Sequence, residues 1–250
     1  MQLLAAASIL LVVGISVLIG IRLLVLWLRT RGLPELLLGA SLLLTAGIGY
    51  PGQIIATRIE GPAVVPLYLL AYVAVSAGVA LLYLFTWRVF RAQERWALVL
   101  ACVGGAALAL NVVVRAQRVM GSGHIDIGPE ALDECLFQGF TVAIAYVWTA
   151  WESLRQYGMM RRRIRLGLAD PAVANRFLLW GTMALCSSAG TLSNVVAVGM
   201  RIDVMNDPGI LLFSSASALG QAVPMFLALM PPLWYLERVR SRAEAVPQHS

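Results

Sequence analysis

A chain of 250 residues with 60% hydrophobic and 13% charged residues, against roughly 25% charged in an ordinary soluble domain, has too little polar surface to coat a water-soluble fold of this size. The formal net charge of +6 does not point to nucleic acid, because the cations lie at the ends of apolar runs, where they meet lipid headgroups. All 19 basic residues are arginine, which excludes a P-loop lysine, a Schiff-base enzyme and a lysine-bound retinal.

The first apolar run, Leu3 to Leu28, has neither the basic n-region nor the short h-region of a cleavable signal peptide, so it reads as a transmembrane helix. Arg22 lies about a turn and a half inside its end and is expected to snorkel toward an interface marked by Trp27, Arg29 and Arg31. Further spans are predicted over Leu33 to Gly49, Val64 to Val89, Trp96 to Val114, Leu132 to Gln156, Pro171 to Val198 and Gly209 to Leu236. Turn signals between them include Tyr50-Pro51-Gly52, Gly61-Pro62, Gly121-Ser122-Gly123 and Asp207-Pro208-Gly209. The expected fold is an all-α, polytopic bundle of seven transmembrane helices over residues 1–236, followed by a disordered cytoplasmic tail, 237–250.

Arginines set the expected orientation. The stretch Arg161 to Phe177 packs Arg161, Arg162, Arg163 and Arg165 between two apolar runs, the mark of a cytoplasmic loop. Asp170 before Pro171 reads as an N-cap followed by proline in the first helical position. Alternate loops agree: the first, third and fifth loops and the tail hold fourteen arginines, while the others hold only Arg58, Arg115, Arg118 and Arg201. The N-terminus is therefore expected outside and the C-terminus inside. The acidic residues Asp126, Glu130, Asp133, Glu134, Asp203 and Asp207 fall on the outer side. All seven tryptophans (Trp27, Trp87, Trp96, Trp148, Trp151, Trp180 and Trp234) fall in the inner half, as an interfacial aromatic belt.

Polar residues inside spans are costly in hydrocarbon unless they face protein or water, so they carry the functional expectations. The third span places Tyr68, Tyr72 and Ser76 on one face, and the fourth adds Asn111 and Arg115, again four apart. Gln138 and Thr141 come from the fifth, Thr191 and Asn194 from the sixth, and Ser217 and Gln221 from the seventh, just before the helix-kinking Pro224. Arg115 or Arg118 is expected to pair with Asp133 or Glu134. The ten residues Tyr68, Tyr72, Ser76, Asn111, Arg115, Gln138, Thr141, Asn194, Ser217 and Gln221 are candidates to line an outward-facing ligand cavity. The competing reading is that such groups only bridge helices, each bond contributing about 0.6 kcal/mol.

Catalytic chemistry has little to stand on. The histidines, His124 and His249, lie in an outer loop and the tail, so neither a haem pair nor a histidine-ligated zinc site is expected within the membrane. There is no HExxH or GxSxG motif. Glu152, beside Trp151 and Arg155, reads as half of a structural ion pair. No catalytic residues, metal site or cofactor are expected.

The segment RIRLGLADPAVANRFLLW, Arg163 to Trp180, and the third-span exit LYLFTWRVFRAQERW resemble uncharacterised bacterial seven-helix membrane proteins and the membrane-embedded sensor regions preceding some histidine kinases. The resemblance implies signal reception in the bacterial inner membrane. This chain carries no kinase or other output domain, so a signal would pass to a separate cytoplasmic or membrane partner, with Arg161, Arg162, Arg163 and Arg165 as the surface for that partner or for lipid headgroups. A small-solute transporter and a structural subunit of a membrane complex are the alternatives.

Overall fold

A computed structural model describes residues 2–123, 125, 131–202, 204 and 206–244, with the side chains of 240 and 242–244 excepted. The expected placements of His124, Asp126, Glu130, Asp203 and the last residues of the tail lie outside this range. The described residues are helical, without strands. The elements are α1 (Gln2–Thr30), α2 (Leu33–Leu42), a π-helical segment (Leu43–Gly49), α3 (Tyr50–Ala56), α4 (Val64–Phe90), α5 (Arg95–Ser122), α6 (Leu132–Arg165), α7 (Pro171–Gly199), α8 (Pro208–Leu229) and α9 (Leu233–Glu244).

Six of these are long and apolar enough to cross a membrane: α1, the α2–α3 unit, α4, α5, α7 and α8. They make the chain a multi-pass membrane protein. The expected fifth span, α6, is not among the six although it is the longest helix, at 34 residues. Gln138, Tyr146, Trp148, Trp151 and Glu152 dilute the hydropathy of its centre.

Local chemistry explains most helix ends. Asp170 Oδ1 accepts a hydrogen bond from the Ala172 amide at 2.8 Å, with Pro171 opening the helix. Asp207 does the same for α8 through the Ile210 amide at 2.9 Å, so Asp207-Pro208-Gly209 is a helix start as well as a turn. Gly123, at φ +73°, closes α5 in the left-handed conformation that glycine adopts without steric cost. Arg161 to Arg165, expected in a loop, instead continue α6 to its last turn.

Several boundaries differ from expectation, with α5 and α6 running past Val114 and Gln156 to Ser122 and Arg165. The second span does not end at Gly49, and Tyr50-Pro51-Gly52 is not a turn: the helix widens into the π segment and continues through Pro51 to Ala56. The Tyr50 amide bonds the Thr45 carbonyl, five residues back. This wider register accommodates a proline ring that would otherwise press on the carbonyl four residues earlier. At the other end of the chain, α8 stops at Leu229, because Pro231 and Pro232 follow and cannot continue its ladder. The residues from Glu237 to Glu244 then belong to a separate helix, α9.

The helices close into a bundle. α1 packs on α2 and α8, α8 on α7, α7 on α6, and α6 on α4 and α5, while α4 also meets α2, the π segment and α3. Val79, Tyr83, Leu108, Trp148, Trp180 and Met225 belong to one buried cluster. Small residues set the closest approaches: a Cβ at Gly104 would lie 2.7 Å from the Tyr83 ring, and one at Gly78 would meet Thr45 Cγ2 at 2.6 Å and the Ser41 carbonyl at 2.9 Å. Trp148 and Trp180 are 93% buried, so these two are core residues and not part of an aromatic belt. Arg22 reaches across from α1 and donates from Nη1 to the Leu229 carbonyl at 3.3 Å. It caps the C-terminus of α8, where a cation is favourable.

Candidate functional site

Polar side chains gather in two separate regions. The first lies at the junction of α4, α5 and α6, at the end of the bundle away from the arginine cluster. Arg115 and Glu134 are 3% and 4% exposed, with Arg115 Nη1 3.0 Å from Glu134 Oε2. Arg115 Nη2 donates to the Tyr68 hydroxyl at 3.0 Å, and its guanidinium lies over the same ring, 5.3 Å from the centroid. The Tyr72 hydroxyl donates to Asn111 Oδ1, and Asn111 Nδ2 reaches the Glu134 carbonyl at 3.4 Å. Arg118 forks onto Asp133 at 3.1 and 3.0 Å and places Nε 2.9 Å from Glu134 Oε1.

The expected pairing of Arg115 and Arg118 with Asp133 and Glu134 is therefore present. Two guanidinium groups face two carboxylates, so the network is charge-balanced, and a bound ion of either sign would have to displace an existing partner. Buried ion pairs of this kind hold only while both partners remain.

The second region is a cavity of about 80 Å³ enclosed by α1, α2 with its π segment, α3, α4, α6, α7 and α8. Its polar wall includes Ser16, Ser41, Thr45, Ser187, Thr191 and Gln221. Ser41 Oγ donates to the Gly78 carbonyl at 2.7 Å, and Thr45 Oγ1 to the Ser41 carbonyl at 2.7 Å. Ser187 and Thr191 likewise donate to the carbonyls of Met183 and Ser187, each at 2.9 Å. These four hydroxyls have spent their protons on backbone, so they offer lone pairs as acceptors.

The donors come from elsewhere on the wall. Tyr50, Tyr146, Trp180 and Gln221 line the same cavity, and the buried Trp180 Nε1 has no acceptor among the described residues. Among the described residues, no acidic or basic side chain lines the space.

Of the ten candidates, only Gln221 lines this cavity. Tyr68, Tyr72, Asn111 and Arg115 form the ion-paired network instead. Thr141 donates to the Phe137 carbonyl at 2.8 Å within its own helix, while its own carbonyl accepts from the Tyr83 hydroxyl at 2.7 Å. Ser76 is buried with its hydroxyl unpartnered among the described residues. Ser217 packs against Gly190, Gln138 is half-buried, and Asn194 is exposed. The expected single cavity is thus divided, because residues on one face of each helix need not face the same neighbour.

Ser16, Ser41, Thr45, Tyr50, Tyr146, Trp180 and Ser187 are the cavity residues beyond the sequence expectation. The signal for several of them was available: Ser41–Thr45 and Ser187–Thr191 are polar pairs four residues apart within apolar helices, the spacing that singled out Tyr68, Tyr72 and Ser76.

At the arginine-rich end, Arg91 Nε donates to Glu152 Oε1 at 2.8 Å, with Arg155 Nη1 at 3.9 Å from Oε2. Glu152 is one half of a structural ion pair. One turn away, Thr86 and Thr149 share a hydrogen bond of 2.7 Å between α4 and α6.

Among the described residues, no group of three or more His, Cys, Asp or Glu side chains is arranged to hold a metal ion. No protein family, characterised protein or solved structure matches the chain.

Proposed function

We propose that this protein is a seven-span receptor-like module of the bacterial inner membrane, with its N-terminus outside and its C-terminus in the cytoplasm. In this reading α6 is the seventh membrane-crossing helix, its polar centre turned toward α4 and α7. The central cavity holds a ligand, and α7 and α8, hinged at Pro224, pass its presence to the arginine-rich inner end. There Arg161, Arg162, Arg163 and Arg165 meet a separate partner or anionic headgroups.

The observation that carries this reading is the cavity itself. Its polar wall is assembled from several helices, and it adjoins the π-helical segment Leu43–Gly49. Such segments are frequent at functional sites because they interrupt a helix at a chosen point. The Arg115–Glu134 network is charge-balanced within the protein and is read as structural.

Native mass spectrometry of the protein extracted from its own membrane in mild detergent is the first test. A bound small molecule of defined mass, absent from the Gln221→Leu variant, is the expected result. Extraction with a stoichiometric protein partner and no small molecule would instead mark a structural subunit. Orientation is checked with C-terminal reporter fusions: fluorescent protein active and alkaline phosphatase inactive.

One feature favours a second reading, a small-solute transporter. The α2–α3 unit carries a π-helical irregularity beside the cavity, and carriers place irregular helices at their substrate sites. Solute uptake into proteoliposomes that depends on Gln221 would decide for it.

A further inference from the structure

We propose that the ligand of the central cavity is a small neutral molecule that both donates and accepts hydrogen bonds, the chemistry of a short polyol, a simple amide or urea. This inference rests on the receptor reading of the same cavity and specifies what enters it.

Size is the first constraint. About 80 Å³ holds roughly five waters at about 15 Å³ of probe-occupied volume for each. A molecule of a few non-hydrogen atoms fits, whereas drug-sized ligands occupy sites of about 300 Å³ or more. A whole phospholipid or sterol is excluded.

Charge is the second constraint. The wall contains no ionised group, and the surrounding helices supply a low-dielectric medium in which an unpaired ion loses its hydration without compensation. The buried Arg115–Glu134 pair and the Arg91–Glu152 pair are committed to each other and line no part of the cavity. An ion entering the cavity therefore finds no counter-charge.

Hydrogen-bond valence is the third. Ser41, Thr45, Ser187 and Thr191 have donated to carbonyls and present only lone pairs to the cavity, so the ligand must donate to them. Tyr146 and Gln221 are the opposite case: they line the cavity and carry O–H and N–H groups, so the ligand must also accept. Gln221 supplies both functions. A purely apolar guest would leave the Gln221 amide unmatched and the hydroxyl oxygens dry.

The test uses the full chain in lipid nanodiscs and equilibrium binding of radiolabelled glycerol, urea and acetamide, with choline, acetate and benzene as charged and apolar comparators. The expected result is saturable one-to-one binding of a neutral polar probe. Gln221→Leu and Tyr146→Phe should each weaken it at least tenfold, and the cavity-filling Ala46→Leu should abolish it. Should Ala46→Leu fail to fold, as judged by gel filtration and helical circular dichroism, Val12→Phe fills the same space from α1.

Two failures are distinguishable. Binding of choline, acetate or benzene that a filling variant abolishes, or neutral binding indifferent to Gln221→Leu and Tyr146→Phe, overturns the ligand chemistry and leaves the cavity as a site. If no probe binds, or binding survives a filling variant, the cavity is not the ligand site and the receptor reading falls with it.

Discussion

The ion-paired junction of α4, α5 and α6 and the central cavity are both polar regions inside an apolar bundle, yet they are built on opposite principles. At the junction, Arg115, Glu134, Arg118 and Asp133 pair with each other, and Tyr68, Tyr72 and Asn111 bond into the same network. Two guanidinium groups there balance two carboxylates. The cavity is lined by no charged side chain among the described residues, retains about 80 Å³ of space, and is faced by the Gln221 amide, which has no protein partner there. A polar group that is satisfied within the protein stabilises the fold, while one held without a partner is retained for something that binds.

If that contrast is right, the largest stability effect belongs to the junction. Glu134→Leu strands the Arg115 guanidinium, 3% exposed, without its carboxylate, and the loss should be about 3–5 kcal/mol by analogy with other broken buried pairs. Combining it with Arg115→Met removes the stranded charge, and the double variant should recover most of the loss. Unfolding in detergent, followed by circular dichroism, measures both. A double variant as unstable as the single one would show that the pair matters for more than mutual neutralisation. Neither change should affect occupancy of the cavity, provided the protein still folds.

A smaller effect is expected where α2 meets α4 along the cavity wall. Gly78→Ala places a methyl 2.9 Å from the Ser41 carbonyl and 2.6 Å from Thr45 Cγ2. Backbone cannot yield as a flexible side chain does, so the helices must separate, at a cost of about 1–3 kcal/mol. The same movement disturbs Ser41 and Thr45, so stability and ligand binding should fall together, unlike the junction variants. Thermal unfolding and probe binding on one preparation separate the cases.

The two regions also differ in how far the sequence reveals them. Opposite charges at the facing ends of consecutive helices allow few partners, so the pairing of Arg115 and Arg118 with Asp133 and Glu134 is legible, although the exact distribution among the four is not. The cavity is far less so. Helical periodicity says which residues share a face, but the rotation of each helix about its axis depends on packing with every neighbour. Tyr72 and Gln221 can therefore both be interior and yet face different spaces. The α2–α3 unit shows a second limit: Tyr50-Pro51-Gly52 has the composition of a turn, and only the π-helical widening before it allows the helix to continue. With the span read as ending at Gly49, Ser41 and Thr45 belong to a short and unremarkable helix. Trp180 is hidden for a third reason, since an indole near a helix end is as suited to an interface as to a cavity wall. Six spans are evident from hydropathy alone, whereas α6 needs its faces to be told apart.

The Thr86–Thr149 stitch between α4 and α6 provides a reference for an ordinary interhelical bond. Thr149→Val removes the 2.7 Å hydroxyl contact with Thr86 while keeping nearly the same volume. Thr86 retains its bond to the Leu82 carbonyl at 2.9 Å, so nothing is left stranded. The expected loss is about 0.6 kcal/mol, the average for such bonds between membrane helices, measured by chemical unfolding. A loss several times larger would mean that this neutral pair works as the ion pairs do, blurring the contrast.

The smallest stability change should come from Gln221→Leu, and that small value is its significance. Leucine nearly matches the volume of the amide side chain, and the substitution removes a polar group that faces the cavity instead of a protein partner. Replacing an unmatched polar group by an apolar one of similar shape is close to neutral, or stabilising, so unfolding free energy should change by no more than about 0.5 kcal/mol. Glu134→Leu likewise exchanges a planar polar end for a branched alkyl group of similar size on a helix of the same bundle, yet it should cost many times more. If Gln221→Leu proves equally destabilising, Gln221 is structural and the cavity is a packing void. If it is neutral in stability while probe binding is lost, the fold and the ligand depend on different residues, as the division between the two regions requires.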